Sequence, residues 1–157
     1  MQNANSATAD SDLLLVITRS FDAPRERVFD AWLDPEQIGK WIGPRSVRAE
    51  TKELSPKIGG DYRIHMRGVD GSDGPVVAGA YREILRPERL VFTWKWETGH
   101  PMGASGQETL ITLTFRDRGG KTEMTIRHEH FASADSRDSH NRGWQASFDR
   151  LAEMLAQ

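Results

Sequence analysis

The residues from about Asp138 to Ala156 constrain the fold of this chain more than any other stretch. Large apolar side chains recur there at i, i+4, i+7 and i+11, which predicts a helix with one apolar stripe. The stripe residues are Trp144, Phe148, Leu151 and Leu155. Such a helix is not stable alone in water, so it must bury this stripe against another element.

The partner for this helix is predicted between residues 45 and 130, where the apolar period changes to two, as in half-buried strands. Before this region, a strand is expected over Leu13–Arg19 and two short helices on either side of Asp34-Pro35, the first capped by Asp22. The predicted order is β-αα-ββββββ-α. This is an α+β fold in which a curved antiparallel sheet of six or seven strands wraps around the long C-terminal helix.

Composition limits the classes of function. A formal charge of −2 argues against nucleic-acid binding, and no apolar run approaches the length of a membrane span. The absence of cysteine excludes disulfides and thiolate metal sites and favours a cytoplasmic location. Residues 1–12 are expected to form a disordered tail, and residues 13–157 a single domain. A glycine- and proline-containing loop is expected over Gly99–Gly106.

Several segments resemble one known family when taken in order. They include Phe21-Asp22-Ala23-Pro24, Gly59-Gly60-Asp61-Tyr62-Arg63, Glu88–Trp94, Gly119-Gly120-Lys121-Thr122 and Gly143-Trp144. The pattern is similar to the START/Bet v 1-like (SRPBCC) superfamily, and within it to the AHSA1-like domains, named for an activator of the Hsp90 ATPase. The resemblance covers essentially residues 13–156. It implies the helix-grip fold, with a cavity between the concave face of the sheet and the last helix.

The expected lining of that cavity combines the inward-facing strand positions with the first turns of the stripe. These residues are Tyr62, Ile64, Met66, Phe92, Trp94, Ile111, Leu113, Met124, Ile126, His128, Trp144, Phe148 and Leu151. Aromatic and methionine side chains suit a flat apolar ligand, but they also suit a fully packed core. Periodicity does not separate the two interpretations. The first hypothesis is non-catalytic binding of a small apolar or aromatic ligand, lipid- or polyketide-like, without a cofactor.

Polar residues offer a second hypothesis, an enzyme of the cyclase or hydrolase type. His128 would act there with Glu97, Glu108 or Tyr62. His128 and His130 share a strand face, but no third ligand is evident, so no metal site is predicted. No Gly-x-Ser-x-Gly nucleophile elbow or phosphate loop occurs, and no catalytic residue is assigned.

The remaining polar residues are expected at the surface. His65 is expected in solvent, and His100 and His140 in polar loops. Arg63 and Arg67 either hold a ligand carboxylate at the rim or form a solvated strand face.

A third hypothesis is a protein-interaction module, either a co-regulator of an Hsp90-type chaperone, as the resemblance implies, or a module for another protein, with an exposed apolar patch near Trp41 or Trp96. A homodimer is expected because such assemblies are common. Gly143 leaves three interpretations open: close approach of helix to sheet, a bend at the cavity mouth, or a helix that begins there.

Overall fold

The computed structural model of the chain describes residues 13–98 and 107–157, so the predicted tail, the Gly99–Gly106 loop and His100 lie outside the described residues. Within the described ranges, the element order agrees with the prediction. The strands are β1 (Leu15–Phe21), β2 (Val47–Leu54), β3 (Asp61–Gly68), β4 (Val76–Leu85), β5 (Arg89–Thr98), β6 (Thr109–Arg118) and β7 (Lys121–Glu129). The helices are α1 (Arg25–Leu33), α2 (Pro35–Trp41) and α3 (Ala134–Leu155).

The strands form one antiparallel seven-stranded sheet in the order β1-β7-β6-β5-β4-β3-β2. Consecutive strands from β2 to β7 are neighbours, and β1 closes the far edge against β7, with Ile17 opposite Ile126. Helices α1 and α2 connect the two edges. The predicted α+β helix-grip architecture is therefore confirmed.

Turn and cap chemistry explains the short helices. The Asp34 side chain accepts hydrogen bonds from the backbone N–H groups of Glu36 and Gln37, and Pro35 occupies the first turn of α2. The expected cap of α1 is wrong, because Pro24 is the residue at the N-cap and no side chain caps that helix. Strand β1 begins at Leu15, two residues later than predicted.

Helix α3 begins earlier than the apolar stripe suggested. The hydroxyl of Ser133 accepts a hydrogen bond from the Ser136 N–H at 3.1 Å, and this cap starts the helix at Ala134. Gly143 therefore lies in the helix interior and does not begin it. A Cβ atom added at Gly143 would meet no atom within 4 Å, so close packing on the sheet does not require glycine there.

The core lies between the concave sheet face and α3. Phe148 and Leu151 are fully buried, and the Phe148 ring packs edge-on against Phe21 and Trp32. The end of α3 is held by Arg27, which donates to the Leu155 carbonyl at 2.5 Å. The second half of α3 is thus an anchoring segment, and the first half borders the candidate site.

Candidate functional site

A cavity of about 400 Å³ lies between the first half of α3 and the segment that follows α2. Its walls are mainly apolar, and the exposed residues Pro44 and Arg142 stand at its mouth. The lining residues are Ile42, Gly43, Pro44, Val47, Met66, Pro75, Trp94, Trp96, Ser139, His140, Arg142, Gly143, Trp144 and Ser147. A cavity of this size falls within the range of small-molecule sites.

Of the side chains predicted to line a cavity, Met66, Trp94 and Trp144 line this one. Tyr62, Ile64 and Phe92 instead border a much smaller inner void of about 10 Å³, next to Trp32. Trp94 contributes to the walls of both spaces, so it stands at the boundary between them.

The other predicted lining residues border neither space. Those packed into the apolar core are Ile111, Leu113, Met124, Ile126, Phe148 and Leu151. His128 is also fully buried, but in a polar network beside the cavity. The concave face is thus part packed core and part open pocket, so both interpretations of the apolar pattern apply, each to a different region.

Two pairs of indole and imidazole rings join α3 to the sheet. The Trp96 indole Nε1–H donates to His140 Nε2 at 2.9 Å, and His140 Nδ1 lies 2.8 Å from the Ser136 carbonyl oxygen. The Trp144 Nε1–H donates to His128 Nδ1 at 3.2 Å. Each indole nitrogen can only donate, so each histidine must accept on the nitrogen that faces it.

Thr109 completes the network around His128. Its hydroxyl donates to the Trp94 carbonyl oxygen at 2.8 Å and lies 2.7 Å from His128 Nε2. Since the hydroxyl has one proton, it must accept from His128 Nε2–H. His128 is therefore a neutral imidazole with its proton on Nε2, and His140 is neutral with its proton on Nδ1.

Burial keeps both rings neutral. Desolvation, with a smaller contribution from the neighbouring His140, lowers the pKa of His128 well below its usual value. Desolvation also lowers the pKa of His140, although its hydrogen bond to the Ser136 carbonyl opposes this shift. The two ring centroids are 5.3 Å apart, so protonation of one ring disfavours protonation of the other.

Helix α3 also fixes the opposite wall of the cavity. The Ser147 hydroxyl accepts from the Gly43 N–H at 2.8 Å and donates to the Gly143 carbonyl at 2.8 Å. The Arg150 guanidinium donates to the carbonyls of Lys40, Gly43 and Pro44 at 2.9–3.0 Å. Burial lowers the pKa of Arg150 somewhat. These bonds hold the segment between α2 and β2 against the helix and so define the cavity.

Two buried indole N–H groups, those of Trp32 and Trp94, have no hydrogen-bond partner among the described residues. Trp32 and Trp94 are 2% and 4% exposed, so neither nitrogen is compensated by bulk solvent. An unpaired buried donor is costly, and such groups are uncommon in native proteins. Trp94 lines the main cavity, whereas Trp32 borders only the inner void.

The constellation expected for an enzyme is not assembled. Glu97 is exposed and pairs with Arg63 at 2.6 Å, while Glu108 lies 3.9 Å from Arg82. Neither carboxylate bonds to His128, whose ring nitrogens are both engaged elsewhere. The hypothesis that His128 acts with these groups is wrong. Tyr62 does not supply the missing partner either, because its hydroxyl donates to the Thr93 carbonyl at 2.6 Å.

Of the two interpretations left open for Arg63 and Arg67, the structure agrees with a solvated strand face and not with a ligand-binding rim. Arg67 pairs with Glu50 at 2.8 Å, as Arg63 does with Glu97, so both arginines are engaged in ion pairs on the sheet. The expectation that His65 lies in solvent is wrong, because its side chain is largely shielded and its Nε2 lies 2.8 Å from Asp73. Neither arginine lines the cavity.

Sequence reasoning missed His140, which is a buried helical residue and not part of a polar loop. A signal was present, because His140 precedes Trp144 by four residues and so continues the apolar stripe by one turn. Trp41 and Trp96, expected in an exposed apolar patch, are 0% and 8% exposed. The predicted docking patch at these tryptophans is therefore wrong.

Across residues 13–98 and 107–157, no cluster of three or more histidine, aspartate or glutamate side chains is arranged to hold a metal ion. His130, expected on the same strand face as His128, has a φ of 77° and lies beyond the end of β7. In the same ranges, no helix has the length and apolar character needed to cross a membrane.

The sheet, the clamped helix and the cavity between them define a helix-grip protein with an internal pocket. The chain belongs to the family described as Activator of Hsp90 ATPase homolog 1-like protein, whose model matches residues 22–156. This confirms the resemblance seen in the sequence. No curated protein matches the chain.

Solved structures share the fold. A Chromobacterium violaceum protein superposes with a TM-score of 0.83 at 23% identity, covering 92% of this chain and 98% of its own. An Arthrobacter aurescens protein superposes with a TM-score of 0.80 at 24% identity, covering 93% of this chain and 87% of its own. The AHSA1 protein from Silicibacter pomeroyi superposes with a TM-score of 0.77 at 22% identity, covering 91% of this chain and 97% of its own. At these identities the similarity establishes the fold alone.

Proposed function

We propose that this protein binds a small, flat, apolar molecule in the cavity between α3 and the sheet, without catalysing a reaction on it. The observation that carries the proposal is the 400 Å³ space walled by the indoles of Trp94, Trp96 and Trp144. Rigid aromatic walls favour a planar ligand, because rings stack or meet edge-on at little entropic cost.

The polar side chains of Ser147 and His140 in this wall already have protein partners, which supports binding over catalysis. The hydroxyl of Ser147 both donates and accepts, and both ring nitrogens of His140 are within hydrogen-bond distance of protein atoms. A general base needs a free lone pair within reach of the substrate proton. His140 offers none, because its Nε2 lone pair accepts from the Trp96 indole.

Gly143 provides the test. It lines the cavity, and a Cβ atom there would meet no protein atom within 4 Å, so Gly143→Leu is the variant designed to occupy the pocket. Gln145→Leu is the matched control, since Gln145 is exposed on α3 and is not a lining residue. Both variants should retain the far-UV spectrum of the native protein.

Binding of naphthalenemethanol, a neutral planar probe, is measured by isothermal titration calorimetry. We expect saturable binding to the native protein and to Gln145→Leu, and loss of at least tenfold in affinity in Gly143→Leu. No binding to the native protein, or equal binding to both variants, would overturn the proposal. Native mass spectrometry of freshly purified protein, followed by denaturation, then identifies any co-purified molecule.

A cytoplasmic location and a homodimer stay predictions from the sequence. Light scattering on the eluting peak of a gel-filtration column tests the latter directly.

A further inference from the structure

We infer that the ligand of this cavity has polar groups at both ends: an oxygen acceptor that reaches the buried indole N–H of Trp94, and a carboxylate that faces Arg142. The inference rests on the proposed function and names the class of ligand, an apolar or aromatic acid with a second oxygen at its inner end.

The inner end is defined by Trp94. Its side chain lines both the main cavity and the inner void, as Ile42 does, it is 4% exposed, and its Nε1–H lacks a partner among the described residues. The other indoles of the cavity wall, Trp96 and Trp144, donate to His140 and His128. Trp94 is therefore the indole donor left for a ligand, and an indole nitrogen bonds only to acceptors.

The mouth is defined by Arg142. It is an exposed lining residue, and its guanidinium forms no ion pair or hydrogen bond within residues 13–98 and 107–157. Two arginines at or after the segment that follows α2 are engaged: Arg45 pairs with Glu153, and Arg150 binds the backbone carbonyls after α2. A guanidinium binds carboxylates through a planar fork of donors.

A water molecule in the inner void would compete with the ligand for the N–H of Trp94. With a volume of about 10 Å³ it lies at the lower limit for one water molecule. Such a water would be shared with Trp32, whose N–H is also unpaired and which borders this void alone. Trp32 therefore serves as an internal control for the loss of a buried N–H outside the main cavity.

Four probes cover every combination of the two polar groups. Methylnaphthalene has neither group, naphthol has the inner oxygen, naphthoate has the carboxylate, and hydroxynaphthoate has both. Calorimetric affinities are measured for the native protein, Trp94→Phe, Trp32→Phe, Arg142→Gln and Arg45→Gln. Trp94→Phe removes the N–H and keeps an aromatic ring. Arg45→Gln removes an exposed guanidinium that does not line the cavity.

We expect hydroxynaphthoate to bind most tightly. Trp94→Phe should weaken naphthol and hydroxynaphthoate about two- to tenfold relative to methylnaphthalene, and Trp32→Phe should leave these ratios unchanged. Arg142→Gln should weaken the two acids about two- to fivefold, an effect that salt reduces, and Arg45→Gln should not.

If methylnaphthalene binds but the polar groups add nothing, or if Trp94→Phe and Trp32→Phe behave alike, the inference is overturned while the proposed function stands. If none of the probes binds the native protein, the proposed function itself fails. The two failures are thus distinguished by whether any probe binds the native protein.

Discussion

The indole N–H of Trp144 donates a hydrogen bond of 3.2 Å to Nδ1 of His128, and both side chains are buried. This bond ties α3 to β7 at the point where packed core gives way to open cavity. It also fixes the His128 tautomer, because Nε2–H is then left to donate to Thr109.

Replacing His128 by Phe should destabilise the protein. The variant leaves the Trp144 N–H buried without an acceptor, at a cost of about 1–3 kcal/mol in the free energy of unfolding. Trp144→Phe alone should also destabilise the protein, because it removes the donor to His128 Nδ1. Because the double variant removes both partners, we expect the two effects to be non-additive by about 1 kcal/mol. Urea unfolding of the native protein, both single variants and the double variant, followed by far-UV circular dichroism, measures these free energies. Strictly additive effects would contradict the expected coupling between His128 and Trp144.

Stability should fall as the solution is acidified from neutral pH. Burial holds the folded-state pKa of His128 and His140 below the value of about 6.5 expected in the unfolded chain. The unfolded state therefore binds more protons below about pH 6.5, and the free energy of unfolding falls there by up to about 1.4 kcal/mol per pH unit for each histidine. Above that pH their contribution is constant.

Denaturation curves between about pH 5 and 7.5 test this, because carboxylates titrate mostly below that window. Asp34 and Glu50, whose pKa values are lowered by hydrogen bonds, lose their stabilising contribution only at lower pH. His128→Phe should show a flatter dependence. An unchanged slope in this variant would exclude His128 as a source of the effect.

Gly143→Ala should stabilise the protein, by up to about 1 kcal/mol, because alanine is the better helix former and its Cβ meets no neighbour. Gly79→Ala is the contrasting variant. A Cβ at Gly79 would clash with the carbonyl of Thr93 and the ring of Tyr62, so we expect marked destabilisation. Thermal and urea unfolding of both variants give the sign of each change. Destabilisation by Gly143→Ala would mean that the helix needs glycine there.

Arg150→Lys should loosen the cavity wall that follows α2. A lysine has a single ammonium and cannot reach the carbonyls of Lys40, Gly43 and Pro44 together, so a loss of roughly 1–2 kcal/mol is expected. The amide of Gly43, which donates to Ser147, should exchange its hydrogen faster. Arg45→Lys, at an exposed ion pair with Glu153, should leave that exchange rate unchanged. Equal exchange rates of the Gly43 amide hydrogen in both variants would contradict the expectation that Arg150 holds this wall in place.

The sequence by itself determined the order of the elements and the fold class. The i, i+4, i+7 spacing of Trp144, Phe148 and Leu151 requires a helix with one buried face, and the alternation around Ile111 and Ile126 requires strands. Both signals are local, because side-chain direction follows from backbone period alone. Breaks such as Asp34-Pro35 are likewise local and were predicted correctly.

Only the tertiary structure decided which apolar side chains pack and which leave a space. Trp144 and Phe148 belong to one stripe, yet Trp144 borders the cavity and Phe148 fills the core. The difference arises because α3 meets different partners along its length, and packing depends on volumes supplied by distant segments. The polar network was hidden for the same reason. The acceptor of the Trp144 N–H is a histidine on another element, and the unpaired N–H of Trp94 is defined only by the neighbours that surround it.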